Sequence, residues 1–196
     1  HVSHMDPVVD AVFVHRQKRV PRFLGKESLT RTPLFGKIFV GAGQIPVSRG
    51  SAAAGDSLKA AHQALRDGKI VVIYPEGTIT YDPDLWPMKG KTGSARLALT
   101  TGCPVVPIGQ WGAQELMPGR KPRFPKLLPR KALHVAAGEE VLLDDLRSQP
   151  VTAATLDEAT TRIMDAITVL VAELRDAVPP SYRYDPRSDQ TSGDPT

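Results

Sequence analysis

The chain has 196 residues, 41% apolar and 23% charged, which suits one domain with a real core and excludes a fibrous or wholly disordered chain. A single cysteine, Cys103, excludes an internal disulfide framework and a cysteine-based zinc site, and no apolar run reaches the length of a membrane span. The net charge of +4 hides a split: residues 1–131 carry 20 Lys/Arg against 9 Asp/Glu, and residues 132–196 carry 5 against 12, so the first two thirds suit an anionic partner.

In chain order, His1 comes first, five residues ahead of Asp6, and Pro7 follows at once. Asp6 suits a helix N-cap and Pro7 a first turn, so residues 7–16 are predicted as a short, largely buried helix with His1 on the loop entering it. A carboxylate this close can fix the imidazole tautomer and stabilise the imidazolium, making the histidine a better general base. The same pair also suits a capped helix beside a surface histidine. With no initiator methionine and no signal peptide, an N-terminally truncated piece of a longer protein is expected.

Residues 21–25 are predicted as a strand, followed by Lys26. Residues 33–42 are predicted as a helix, and 44–48 as an edge strand because of Pro46. Residues 54–67 form an amphipathic helix with Leu58, Ala61 and Leu65 on one face and Gly68 as its cap. The apolar run 70–74 reads as a buried central strand, followed by a Pro/Gly/Asp-rich loop over 75–91. A helix over 92–101 ends at Gly102, and 104–110 reads as a second buried strand. Residues 117–131 are irregular, with four prolines and six Lys/Arg. A strand over 132–137 precedes a long helix over 152–177, whose Leu156, Ile163, Ile167, Leu170 and Leu174 form one stripe. From residue 178 the composition predicts a disordered tail, leaving one domain over 1–177. Alternating strands and helices give an α/β class: a single domain with a mainly parallel central sheet flanked by helices.

Sites in such sheets gather beyond the carboxyl ends of the strands, here the loop after 70–74. There stand Tyr74, Pro75, Glu76, Gly77 and Thr78. Pro75 ends strand pairing and Gly77 permits a tight turn or close ligand approach. Glu76 either projects into a cleft, onto substrate hydroxyls, or is a solvated strand exit. Arg49, ending the stretch that starts at Gly43, is either a phosphate fork or a surface arginine. Val105, Val106, Pro107 and Ile108 build core or line an apolar tunnel.

In order and spacing, these four stretches resemble the four motif blocks of the glycerolipid acyltransferase family. Its best-known members acylate 1-acyl-glycerol-3-phosphate (lysophosphatidate). His1 and Asp6 match the histidine-four residues-aspartate pair, with Ser3 at a commonly found position. Gly43 to Arg49 match the block ending in a phosphate-binding arginine. Glu76, Gly77 and Thr78 match the third block and Val105 to Pro107 the fourth, over about residues 1–112.

The resemblance implies a glycerol-3-phosphate acyltransferase-like fold and a mechanism. His1, held by Asp6, takes the proton of an acceptor hydroxyl. The oxygen attacks the thioester of an acyl-CoA or acyl-carrier protein, without a covalent acyl-enzyme, a cofactor or a metal. Arg49 would hold the acceptor phosphate and Glu76 its glycerol part, with Lys91 and Gly93 at a second phosphate-binding position and Lys26 a weaker candidate. A lysophospholipid acceptor and a peripheral place on the cytoplasmic face of the cell membrane follow from it. Two departures stand out: many members carry arginine where this chain has Ile79, and the family's N-terminal membrane-binding helices are absent from this chain.

Rival motifs fare worse. Gly90-Lys91-Thr92 ends like a P-loop, but Leu85 stands where the loop needs glycine. His1, His4 and Asp6 resemble metal ligands without a fourth in a clear pattern. The basic segment 120–131, interspersed with Phe124, Leu127 and Leu128, suits an anionic membrane surface or RNA, or equally a solvated basic loop. Its apolar residues favour the membrane over nucleic acid.

Overall fold

Strands and helices alternate as the sequence predicts, in a computed structural model that describes residues 1–26, 41, 43–47 and 51–189. The helix expected over 33–42, Gly41 apart, and residues 190–196 of the expected tail lie outside the described residues. Helix α1 (Asp6–Arg16) has Pro7 in its first turn. Its N-cap is Met5, which makes no side-chain capping bond. Asp6 is the first helical residue instead, because its carboxylate turns back onto the amides of Val2 and Ser3. The apolar face expected to be buried is also inverted. Asp6, Asp10 and Val14, four residues apart, face inward, while Val8 and Val12 are half exposed.

Strand β1 (Pro21–Lys26) lies between two parallel partners, β2 (Ile45–Val47) and β3 (Ile70–Val72). The register sets Leu24 beside Ile45 and Phe23 beside Val72. Pro46 thus sits on an edge strand, where its missing N–H costs nothing. The run 70–74 is shorter and less central than expected: among the described residues β3 pairs with β1 alone, and its residues are half-buried.

Helix α2 (Ser51–Arg66) packs Leu58, Ala61 and Leu65 against Leu24, Ile45 and Val71. It ends as predicted at Gly68, whose φ of +70° closes a paired turn: Lys69 N–H bonds to the Ala64 carbonyl and Gly68 N–H to the Leu65 carbonyl. Helix α3 (Gly93–Thr101) joins two core regions. Leu97 meets the sheet-side cluster of Ile45 and Ala61, while Ala95, Ala98 and Leu99 pack with Leu143, Leu146, Leu156, Ala159 and Ile163.

The second buried strand starts later than expected. β4 (Ile108–Trp111) excludes Pro104 and Pro107, which have no N–H to give a ladder. It pairs antiparallel with β5 (His134–Ala137), so the sheet structure is mixed, and α4 (Ala113–Leu116) intervenes. Short α5 (Asp144–Arg147) supplies Leu146 to the core. Helix α6 (Ala153–Arg175) opens with a reciprocal Thr152/Thr155 capping box and lies along β4. Contact is closest at Gly109, where a Cβ would stand 2.5 Å from Leu170 Cβ. At the far end of α6, Arg175 stacks between Trp86 and Trp111, 4.0 and 4.2 Å from their ring centroids.

After α6 the chain runs on to α7 (Pro186–Asp189). Arg183 bonds to Asp165 at 2.7 Å, and the Tyr184 carbonyl accepts from Lys89 N–H at 2.9 Å. Among the described residues no helix is long and apolar enough to cross a membrane.

Candidate active site

The loop before α1 carries a buried hydrogen-bonded knot. Asp6 Oδ2 lies 2.6 Å from His1 Nδ1 and accepts from the backbone N–H groups of Val2 and Ser3 at 2.7 and 3.1 Å. Three donors on one oxygen fix the carboxylate. Its Oδ1 is buried with no partner among the described residues. That explains why burial raises the Asp6 carboxyl above its ordinary range despite the opposing pull of positive charge and of the Ser3 and Val2 amides. With Nδ1 engaged by Asp6, Nε2 is the nitrogen left to meet a substrate.

The backbone of His1 is gripped as firmly as its ring. Its α-amino group, an ammonium at the start of this chain, pairs with Glu76 Oε1 at 2.5 Å, and its carbonyl accepts from Thr80 N–H at 2.7 Å. Glu76 Oε2 accepts from Met88 N–H at 3.0 Å. Glu76 is buried, with Oε1 on the His1 α-amino group and Oε2 on the Met88 amide. It ties the His1 loop to the 75–91 loop.

That loop begins at a turn closed by Gly77 N–H on the Tyr74 carbonyl, and Gly77 takes a φ of +70° that favours glycine. Lys91 N–H bonds to the Pro75 carbonyl at 2.8 Å, and the Lys91 ammonium would stand 2.9 Å from a Cβ on Gly77. Thr78 follows in the same turn, half-buried, and Gly93 opens α3 two residues after Lys91. The structure thus brings His1, Asp6, Glu76, Gly77 and Lys91 together. Arg49 lies outside the described residues, as does the side chain of Lys26.

Other contacts escaped the sequence reading. Ser3, fully buried, donates from Oγ to the Met117 carbonyl at 3.0 Å, and His4 Nε2 lies 2.9 Å from the Arg120 carbonyl. They bolt the His1 loop to the root of the basic segment. Arg120 in turn donates to the Ile79 carbonyl at 3.0 Å and covers the Tyr81 ring, 3.2 Å from its centroid. A guanidinium thus reaches the backbone at the position whose own side chain, Ile79, is buried. Asp10 and Tyr74 also join the site: the Tyr74 ring stacks on His1 at 4.4 Å, and its hydroxyl donates to Asp10 at 2.5 Å. The only sequence signal for Asp10 is its i,i+4 spacing from Asp6 on a predicted helix. Among the described residues no three His, Cys, Asp or Glu side chains are grouped to hold a metal ion.

A family model described as Acyltransferase matches residues 1–111, more than half of the chain and all of this site's described parts except the 117–120 bolt. The chain belongs to the acyltransferase family. An N-acylphosphatidylethanolamine synthase from Arabidopsis thaliana is 36% identical over 121 residues, 58% of this chain and 42% of that protein. The chloroplastic 1-acyl-sn-glycerol-3-phosphate acyltransferase BAT2 of Brassica napus is 33% identical over 98 residues, 50% of this chain and 28% of that protein. The chain therefore matches less than half the length of either. Among solved structures, the 1-acyl-sn-glycerophosphate (LPA) acyltransferase PlsC from Thermotoga maritima superposes with a TM-score of 0.62 at 23% identity, covering 92% of this chain and 66% of that one. That likeness is one of fold.

Proposed function

We propose that the protein transfers a fatty acyl group from an acyl thioester, acyl-CoA or acyl-carrier protein, to the free hydroxyl of lysophosphatidate, giving phosphatidate. The observation that carries this reading is the His1–Asp6 pair, whose 2.6 Å bond fixes Nδ1 and leaves Nε2 as the base. His1 takes the hydroxyl proton as the oxygen attacks the thioester carbonyl. The tetrahedral intermediate collapses, the C–S bond breaks, and the imidazolium returns its proton to the leaving thiolate. Asp6 stabilises the imidazolium between those steps. Lys91 and Arg49 supply positive charge for the acceptor phosphate. Glu76 serves by holding the His1 backbone.

A second acceptor class has its own support. Ile79 withholds one cation from the acceptor, and the Arabidopsis relative is named for an N-acylated phosphatidylethanolamine. An ethanolamine headgroup offers an amine nucleophile to the same base. The test is a donor-by-acceptor screen of the full-length protein with mass-spectrometric detection. Phosphatidate is expected from lysophosphatidate, and His1→Ala is expected to lower the rate by about 100- to 10,000-fold. N-acylated product, or product only from other lysophospholipids or glycolipids, would reassign the acceptor. Lysolipid binding without transfer from any donor would make this a lipid-binding protein.

The acceptor resides in a bilayer, and the basic segment suits a peripheral position on the cytoplasmic face of the cell membrane. Residues 117–138 hold six Lys/Arg and no acid, and Phe124, Leu127 and Leu128 are 97%, 63% and 82% exposed. Cations beside solvent-facing apolar groups match an anionic lipid surface. The Ser3 and His4 bonds put the root of this segment beside the base.

A further inference from the structure

The acyl-transfer chemistry leaves one buried carboxylate without a task. Asp10 lies one turn beyond Asp6 on α1 and is 2% exposed. Tyr74 Oη donates to its Oδ2 at 2.5 Å, and Gln110, buried on β4, faces the same hydroxyl. The ring of Tyr74 lies against the His1 imidazole, with centroids 4.4 Å apart and planes within 21°. Burying a carboxylate is costly, and here the energy goes into holding one phenol in place.

The geometry of His1 shows what that phenol adds. The Nδ1–Asp6 bond fixes one point on the imidazole. It leaves the ring free to pivot about that contact, which would swing Nε2 out of line with an acceptor hydroxyl. A second ring lying flat against the imidazole removes the pivot. A stacked ring that could itself swing would not, and the bond to Asp10 stops it. Both carboxylates stand on α1, so the edge and the face of the histidine are referred to one rigid helix.

We propose that Tyr74 and Asp10 are a positioning pair that sets the plane of the His1 imidazole and aims Nε2 at the acceptor, without touching substrate. The proposal rests on His1 being the base. It assigns work to an acid that burial holds well above the ordinary carboxyl range, up to about 6. The bond from Tyr74 needs only an oxygen acceptor on Asp10, so charge is not the requirement.

The test uses four single variants and one double variant of the full-length protein, with kcat and KM measured for both substrates. Tyr74→Phe keeps the stacked ring and removes the bond to Asp10, and Asp10→Leu removes its acceptor. Each is expected to lower kcat about 10- to 100-fold with KM changed less than about threefold, the pattern of a misaimed base. The double variant is expected to be no slower than the slower single one, because both break the same bond. Asp10→Asn keeps an oxygen acceptor and is expected to recover most of the rate. The His1 Hε1 proton resonance, shielded by the stacked ring, is expected to move in Tyr74→Phe and stay near the wild-type position in Asp10→Asn. That reading needs no turnover and would stand if Asp10→Leu failed to fold.

Wild-type kcat in Tyr74→Phe, additive losses in the double variant, or losses confined to KM would overturn the pair. The His1→Ala variant separates the two claims. If it is inactive while Tyr74→Phe is as fast as wild type, only the positioning pair fails. If it retains activity, the base assignment fails and the pair with it.

Discussion

Asp10 is where a single side chain has the clearest consequence for stability. Burial lifts its carboxyl from 3.8 to about 6, against the opposing bond from Tyr74. The folded protein therefore holds this proton more tightly than the unfolded chain does. The stabilising contribution is complete below pH about 4 and is lost as pH rises through about 6, a loss on the order of 2–3 kcal/mol by neutral pH. Asp10→Asn removes that titration. Urea unfolding across pH 4–7 should show the variant gaining on the wild type by about that amount, and a difference that stays flat with pH would refute the buried-acid account. His1, Asp6 and Glu76 were legible in the sequence because their order and spacing repeat a motif set. Their wiring was not. Glu76 was read either as a substrate contact or as a solvated strand exit, and its partners, the His1 α-amino group and the Met88 amide, lie far off in sequence. Tyr74 and Asp10 are 64 residues apart, and Ser3 is 114 from Met117. Such pairings are made by the fold and leave no local pattern.

At the scale of elements, the sequence was most readable where periodicity and caps agreed. The helix ended by Gly68 and the long helix beginning at Thr152 both show an apolar stripe and a defined terminus. Reading failed where buried hydrogen-bonded carboxylates took the place of apolar side chains. The valines of α1 suggested its inner face, but Asp6 and Asp10 take that face, bonded there to His1 and Tyr74. β3 was read as central from its apolar run, whereas β1 holds the middle position. The tightest junction between elements is α6 on β4. A methyl group on Gly109 would meet Leu170 Cβ at 2.5 Å, its backbone carbon at 3.1 Å and Val171 N at 3.2 Å. Backbone cannot swing aside as a side-chain tip can. Gly109→Ala should therefore lower stability by about 1–3 kcal/mol, read as a reduced urea midpoint with an unchanged m-value. Wild-type stability in that variant would mean α6 can slide on β4.

Across the whole molecule, charge and the site lie on connected ground. The basic segment springs from the residues that Ser3 and His4 hold beside the His1 loop. Binding to vesicles containing phosphatidylserine should weaken steeply with salt and with neutralisation of Arg120, Lys121, Arg123, Lys126, Arg130 and Lys131, each worth about 1 kcal/mol near an anionic surface. Co-sedimentation that is unchanged after all six are replaced by glutamine would put the membrane contact elsewhere. A different kind of consequence follows from the grip on His1. Glu76 meets its α-amino group, an ammonium in this chain, and Thr80 N–H holds it by its carbonyl, so neither contact uses the ring. The Thr80 bond to the His1 carbonyl does not depend on the side chain, whereas the bond to Asp6 and the stack on Tyr74 do. If His1 is the base proposed above, part of the scaffold and the reagent are written in separate atoms of one residue. One nucleotide change would then remove the reagent while leaving the Thr80 bond and the basic segment in place. Within such a lineage, catalysts and inert lipid receptors would be neighbours in sequence, told apart by a single ring.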